Sequence, residues 1–392
     1  MADENDDKMT LIKGIQPESE VPVEVVRREI CDSLRVDNLN FLLGAGCSSL
    51  KEENKSGRLE EIGIPAMVDL FDGFVQENPS FKIAHARPDV LNLCGKNLEK
   101  LLEILEASAH LNDYLKLDSK SDKKISLIKH YLRGQITKGM KCRKLLDLYK
   151  KFYERIAQQM RRVAPINIFT TNYDMLSELA LDELRFPYNN GFMGLSKRRF
   201  VPASFDYTFV ENMNLKRDSW EPVSSYFNLI KLHGSISWKK DDDELVEVQK
   251  VDETSDKQIM IYPSPLKDRS TLMTPYSDLF RVMENRLMRK NAVLIVIGYS
   301  FGDDHINRLI YNALASASFR LIILNSSDTV KKLAKLNNPH ITVAYSNEGR
   351  KLHYFKNFIE VLLPNPHPEA EESRLVLRKF GELLEANKKG EL

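Results

Sequence analysis

The chain reads as an α/β protein, a mostly parallel sheet with helices on both faces into which an all-helical module is inserted. Three observations predict this. Short runs rich in Ile, Val and Leu recur at 39–43, 166–169, 227–232, 260–262, 293–297, 321–324 and 341–345, without the alternation of a sheet that faces water on one side. Four segments, at 41–49, 169–174, 231–235 and 296–305, begin apolar and break into small or polar residues. A buried parallel strand reads this way when a ligand-contacting loop follows its carboxyl end. Between about 65 and 163 the apolar spacing switches to three and four, the period of amphipathic helices.

Taken in order, residues 1–20 are polar, contain Pro17 and read as a flexible arm. Residues 21–34 have helical spacing, with Pro22 tolerable in a first turn, and lead into the first strand at 39–43. The turn Gly44-Ala45-Gly46-Cys47-Ser48-Ser49 is expected to open a helix. Helical text then begins near Met67, Leu98, Ile125 and Leu145, with the polar stretch 116–124 separating two of these segments. Strand text returns at 166. Residues 241–244 and 251–257 read as an exposed excursion, 306–313 as a helix, and 355–363 as the last helix of the core. A proline-rich break at 364–368 precedes a charged helix at 371–385. The organisation expected is an arm and lead-in helix at 1–34, a sheet domain at 35–65 and 164–365, a helical insertion at 66–163, and a charged terminal helix or tail at 366–392.

Composition narrows the function classes. A length of 392 residues exceeds one compact core, so two domains or one with a large insertion is expected. The acidic amino terminus is unlike a secretory leader, and no run approaches the roughly 20 apolar residues of a membrane span; a cytoplasmic protein with no membrane partner is expected. The 57 basic residues nearly cancel the 56 acidic ones, leaving no global field for nucleic acid. Local basic clusters at 138–144, 197–199 and 331–335 read as solvated faces. Cys31, Cys47, Cys94 and Cys142 are too widely spaced for a zinc ribbon, and the histidines form no metal-binding pair, so no metal is expected.

The four loops together describe one dinucleotide pocket. Glycines in the 44–49 turn would let backbone approach a pyrophosphate, and free N–H groups at a helix start would favour its oxygens. Nicotinamide leaves a ribose as a neutral group and needs little acid help; the positive charge growing on the sugar and a placed nucleophile need more. A histidine such as His233 can polarise a ribose hydroxyl or water, and an asparagine such as Asn172 can position water without adding charge. Asn172 and Asp174 also suit the start of the next helix, with one capping while the other serves the ligand. Asp303, Asp304 and His305 could suggest metal chemistry, but one aspartate is better read as capping 306–313, with His305 an accessory. Trp238 and Tyr299 could stack on a ring or pack in the core.

The order Gly-Ala-Gly-x-Ser (44–48), Gly63-Ile64-Pro65, Thr170-Thr171-Asn172-Tyr173-Asp174, Leu232-His233-Gly234 and Gly298-Tyr299-Ser300-Phe301-x-Asp303 resembles the sirtuin superfamily. Within it the chain is similar to the bacterial sirtuin-like branch associated with antiphage defence, and to the subunit that works beside a HerA-type ATPase. The likeness extends over about residues 35–350 outside the helical insertion. It implies a Rossmann-like fold and NAD⁺ as substrate. Gly44, Ala45, Gly46 and Ser48 would line the pyrophosphate and adjoining ribose, with Thr171 a further cofactor contact. Asn172 would order the nicotinamide ribose and attacking water, Asp174 the carboxamide, and His233 would be the general base. Gly298 and Ser300 would face the adenosine-phosphate side and Asn325 the adenosine ribose.

Two departures bear on the reaction. No cysteine lies between Ser235 and Val293, where deacetylating sirtuins carry a zinc ribbon, and Ala66-Met67-Val68 replaces the usual Asp-Phe-Arg. Both weaken deacylation more than NAD⁺ cleavage. The implied activity is NAD⁺ glycohydrolase (NADase), depleting NAD⁺ as an antiphage effector within a homo-oligomer paired with a HerA-type ATPase. Nucleic acid would enter only through that complex. An NAD-dependent deacylase, a DNA nuclease component and a non-enzymatic sensor are the alternatives.

Overall fold

The computed structural model describes residues 8–53, 59–79, 81, 94–114, 121–158, 164–214, 219–223, 225–242, 244–249, 258–260, 275–336, 338–346 and 351–365. The charged helix expected at 371–385 and the excursion at 251–257 lie outside them. In chain order the strands are β1 (Lys8–Lys13), β2 (Ser19–Pro22), β3 (Leu39–Leu43), β4 (Lys51–Glu53), β5 (Leu59–Glu61), β6 (Ile166–Thr170), β7 (Tyr188–Asn189), β8 (Phe192–Met193) and β9 (Arg198–Phe200). They continue as β10 (Val210–Asn214), β11 (Ser219–Pro222), β12 (Phe227–Lys231), β13 (Gly234–Asp241), β14 (Glu244–Glu247), β15 (Gln258–Met260), β16 (Val293–Ile297), β17 (Arg320–Leu324) and β18 (Ile341–Tyr345). The principal helices are α1 (Val23–Ser33), α2 (Met67–Glu77), α3 (Leu98–Tyr114), α4 (Ser121–Met140), α5 (Arg143–Ala157), α6 (Leu176–Leu184), α7 (Tyr276–Leu287), α8 (Asp304–Ala313) and α9 (Asp328–Ala334).

Six five-residue strands pair in parallel in the order β12-β6-β3-β16-β17-β18, and the two-residue β7 adds parallel to β12 at the edge. The chain starts at β3, adds β6 and β12 on one side, then crosses back to add β16, β17 and β18 on the other. This is the doubly wound order, whose direction reverses between β3 and β16, where such sheets bind ligands. Burial on both faces explains the unbroken apolar runs. Phe41, Ile168, Leu229 and Ile295 point into a core with α1, α5, α6 and the last helical segment, Phe355–Asn357 running into Phe358–Leu362. Leu42, Phe169, Ile230 and Val296 point oppositely, toward α7, α8 and α9. The expected helix-covered α/β sheet is therefore present.

Four expectations need correction. Residues 8–22 are no flexible arm: β1 and β2 form a hairpin that adds to β18 antiparallel, with Met9 and Leu11 buried. Met260 belongs to β15 and pairs with β13 instead of joining the parallel sheet. Asp241 and Glu244, read as part of an exposed excursion, end β13 and begin β14, which pair as a hairpin in a second, antiparallel sheet, β15-β13-β14-β9-β8. Trp238 anchors it, buried against Phe192 and Phe200, so core packing is the reading that holds for Trp238. Finally, 66–163 is not one packing unit. Helices α2, α3 and α4 bury Phe71, Phe74, Leu98, Leu102 and Ile128 in their own cluster, whereas α5 inserts Leu145, Tyr149, Phe152 and Ile156 into the main core.

Candidate functional site

The loops after β3, β6, β12 and β16 meet at the carboxyl ends of their strands. Gly44 N–H donates to Ile297 O (2.9 Å) and Gly46 N–H to Gly298 O (2.9 Å), stitching the first loop to the fourth across the switch point. A Cβ on Gly44 would fall 2.4 Å from Gly298 O, and Gly298 has φ +65°, so glycine is needed on both sides of this contact. The turn does not open an α-helix. Residues Ala45–Cys47 form a single 3₁₀ turn, and Cys47 N–H and Ser48 N–H are spent on Gly44 O and Ala45 O. The expected row of free amides is thus mostly used inside the protein, while Ala45 and Gly46 keep an exposed outer face.

Ser48 is buried and its hydroxyl is the hub of a polar cluster. It donates to Asp174 Oδ2 (2.7 Å) and accepts from Asn172 Nδ2 (3.0 Å). With its only hydrogen given to the carboxylate, it must also accept from the Tyr149 hydroxyl of α5 at 2.9 Å. Asn172 Nδ2 donates in addition to Gly44 O (3.0 Å). Both amide hydrogens are therefore committed, which fixes the orientation of the amide and leaves Oδ1, an acceptor, to serve a ligand. Asp174 Oδ1 accepts from Leu176 N–H (3.0 Å), the first N–H of α6, from one residue ahead of the N-cap Met175. Thr171 N–H donates to Leu43 O (3.2 Å), tying the same loop to β3.

His233 follows β12 and is buried, 6% exposed. Its Nε2 lies 3.0 Å from Asp303 Oδ2, at the far end of the loop after β16. Strands β12 and β16 are three places apart in the sheet, about 14 Å at the usual strand spacing. The contact therefore arches over the ends of β6 and β3. Asp303 Oδ1 meanwhile caps α8, accepting from His305 N–H (2.9 Å) and Ile306 N–H (3.3 Å), as expected for one aspartate of the Asp303-Asp304 pair. His305 turns away: its Nδ1 faces Arg308 (2.9 Å) and its ring stacks on Phe280. Tyr299 is buried, its hydroxyl engaged with Asn307 Oδ1 (3.1 Å), so it packs in the core.

On the loop after β16, Ser300 is exposed. Asn325 leans on the same loop, donating to Tyr299 O (2.8 Å) and accepting from Ser327 N–H (2.8 Å). Among the described residues no group of three or more His, Cys, Asp or Glu could hold a metal, and no helix is long and apolar enough to cross a membrane.

Two residues of the site were not singled out from sequence for the parts they play. Asp303 was legible only as a cap, although its place in the Gly-Tyr-Ser-Phe-Gly-Asp loop put it within reach of the pocket. Tyr149 sits on a helix of the expected insertion and gave no signal beyond an apolar stripe.

Comparison with known proteins agrees with this geometry. Residues 166–344 match a family model described as a SIR2-like domain. No curated protein matches the chain significantly. The matched stretch contains Asn172, Asp174, His233, Gly298, Asp303 and Asn325, and the Gly44–Ser48 turn lies before it. Residues 166–344 are thus similar to a SIR2-like domain, a likeness that supports a relation to the sirtuin-like superfamily and NAD⁺ as the ligand.

Proposed function

We propose that the protein is an NAD⁺ glycohydrolase, converting NAD⁺ and water to nicotinamide, ADP-ribose and a proton. The observation that carries this reading is the pairing of Asn172 and His233 at the ends of adjacent strands. The amide of Asn172 has only its acceptor oxygen to offer, and His233 is braced by a carboxylate. The bond from C1′ to the pyridinium nitrogen breaks with its electrons going to nicotinamide. Asn172 Oδ1 holds the water whose oxygen joins C1′, and His233 takes the proton. The Gly44–Ser48 turn with Thr171, Gly298, Ser300 and Asn325 would carry the remainder of the dinucleotide, and Asp174 the carboxamide. A hydrolase is favoured over a deacylase because 235–293 holds no zinc-ribbon cysteines.

The resemblance noted from the sequence extends the reading to biology. The protein would be an effector of bacterial antiphage defence that depletes NAD⁺ in the cytoplasm, restrained in a homo-oligomer and paired with a HerA-type ATPase. Restraint fits the chemistry, since an unrestrained NADase would kill its host.

The test follows nicotinamide release from NAD⁺ by wild type, Asn172→Ala and His233→Ala, each alone and with the product of the neighbouring gene. Wild type should turn over, and each variant should lose about 10²–10⁴-fold in rate. Equal product from all three would remove the site. No product under any condition would favour a sensor, and acetyl-peptide turnover that yields acetylated ADP-ribose would favour the deacylase.

A further inference from the structure

We propose that Asp303 is the positioning residue for His233: its carboxylate holds the proton of Nε2 and thereby makes Nδ1 the nitrogen that accepts the proton released in the reaction. The inference deepens the hydrolase reading and rests on it. A carboxylate can only accept, so at 3.0 Å from Asp303 Oδ2 the hydrogen belongs to Nε2 of a neutral His233. Both side chains are buried, 7% and 6% exposed on the side-chain scale, which strengthens the preference for one tautomer.

Helix capping does not account for Asp303. A cap uses one oxygen, and Oδ1 already fills that role for α8. The second oxygen reaches the loop of a strand three places away. The loop that delivers it is also held more firmly than a connection requires. Asp303 N–H donates to the Tyr299 hydroxyl (3.3 Å), and Asn307 Nδ2 donates to Phe301 O (2.9 Å). Phe301 is buried with φ +58°, a left-handed conformation that costs a bulky side chain about 1–2 kcal/mol. Strain of this kind persists only where surrounding contacts enforce it. Here they fix the Asp303 carboxylate against His233. When the water oxygen bonds C1′, its proton passes to Nδ1, and the resulting imidazolium keeps its Nε2–H on Asp303.

Asp303→Asn tests this. Asparagine caps helices as well as aspartate, so α8 and the fold are retained, but the amide nitrogen it can turn toward Nε2 only donates. The proton of His233 should move to Nδ1. In the full chain labelled with ¹⁵N-histidine, with His233 assigned by its loss in His233→Gln, wild type should show the Nε2–H tautomer and Asp303→Asn the Nδ1–H tautomer. The kcat for nicotinamide release should fall about 10²–10⁴-fold, the scale of a histidine held in the wrong tautomer, with KM for NAD⁺ within about twofold. Asp303→Ser, which caps but is too short to reach Nε2, should lose similar activity at an unchanged Tm. An Nδ1–H tautomer in wild type, or Asp303→Asn retaining the wild-type tautomer, would overturn the proposal. These spectra need no turnover. An inactive wild type with the expected tautomers would count against the hydrolase reading while the Asp303–His233 pairing stood.

Discussion

The two halves of the site are built differently. On the Asn172 side, Asn172, Asp174 and Tyr149 all bond the Ser48 hydroxyl, Asn172 also donates to Gly44 O, and the loop is tied to β3 through Thr170 and Thr171. On the His233 side, the carboxylate that orients the ring comes from a loop 70 residues later in the chain. The first half is part of the core that makes the protein fold; the second is laid across the top of it. Damage to the Asn172 side should therefore appear chiefly as lost stability, and damage to the His233–Asp303 contact chiefly as lost kcat.

The strongest way to break that contrast is Lys231→Met. Lys231 lies two residues before His233, yet its fully buried ammonium serves the other half, donating to Asp174 O and pairing with Glu178 Oε1 at 2.9 Å. Burial pushes the Glu178 carboxyl above its usual range, opposed by Lys231. Removing the cation leaves Glu178 buried and unpaired, which should cost about 3–5 kcal/mol in urea unfolding. The double variant Lys231→Met with Glu178→Leu should regain most of this, because isosteric apolar replacement of a buried pair is often neutral. A single variant as stable as wild type would mean that the Asn172 loop does not rest on this pair.

Ser48→Ala sharpens the comparison at its centre. It removes the acceptor of Tyr149 and of one Asn172 hydrogen, and the donor to Asp174, all in a buried setting. Loss of about 2–3 kcal/mol is expected, a scale set by leaving buried polar groups unsatisfied. Asp303→Asn measured beside it should keep its unfolding midpoint. If Ser48→Ala is as stable as wild type while Asp303→Asn unfolds, the assignment of the halves is reversed.

What could be read from the sequence follows the same division. The six five-residue parallel strands declared themselves because burial on both faces leaves an apolar run, as in Val293–Ile297, whereas the two-residue β7 at the edge did not. Asn172 and His233 were legible because each stands where such a run stops. The β1–β2 hairpin was hidden because Met9 to Leu11, although buried, form only a short run whose polar flanks mimic an arm. The β13–β14 hairpin was hidden by its acidic turn. The turn after β3 resisted because serines that signal a helix cap here point inward, Ser48 toward Asp174. The Asp303–His233 contact depends on the path of a loop through the left-handed Phe301, which local residue preference argues against.

A second buried histidine calibrates the His233 side and yields the smallest effect. His353 is 6% exposed; its Nδ1 accepts from Ser346 N–H (3.1 Å), so its Nε2 carries the proton and donates to Ser326 Oγ (3.2 Å). Burial, aided by the Lys351 charge, pulls it down to about 4. Since the folded value lies below the unfolded one of about 6.5, the unfolded chain binds more protons between these pH values, and stability rises with pH across that window. Neutral His353 therefore contributes fully above about pH 6.5, and the contribution fades as pH falls toward 4. After allowance for solvent screening it is on the order of 1–2 kcal/mol. Urea midpoints of wild type should drop between pH 7 and 4, and those of His353→Gln, which can keep both hydrogen bonds but cannot titrate, should drop less by that amount. His353 has a neutral hydroxyl opposite its proton where His233 has a carboxylate. The Gln substitution at 353 should accordingly leave nicotinamide release near the wild-type rate at pH 7. A large loss of turnover there would mean that the loop carrying Asn325 and Ser326 governs the chemistry, and that the site does not divide at the Asn172 and His233 loops.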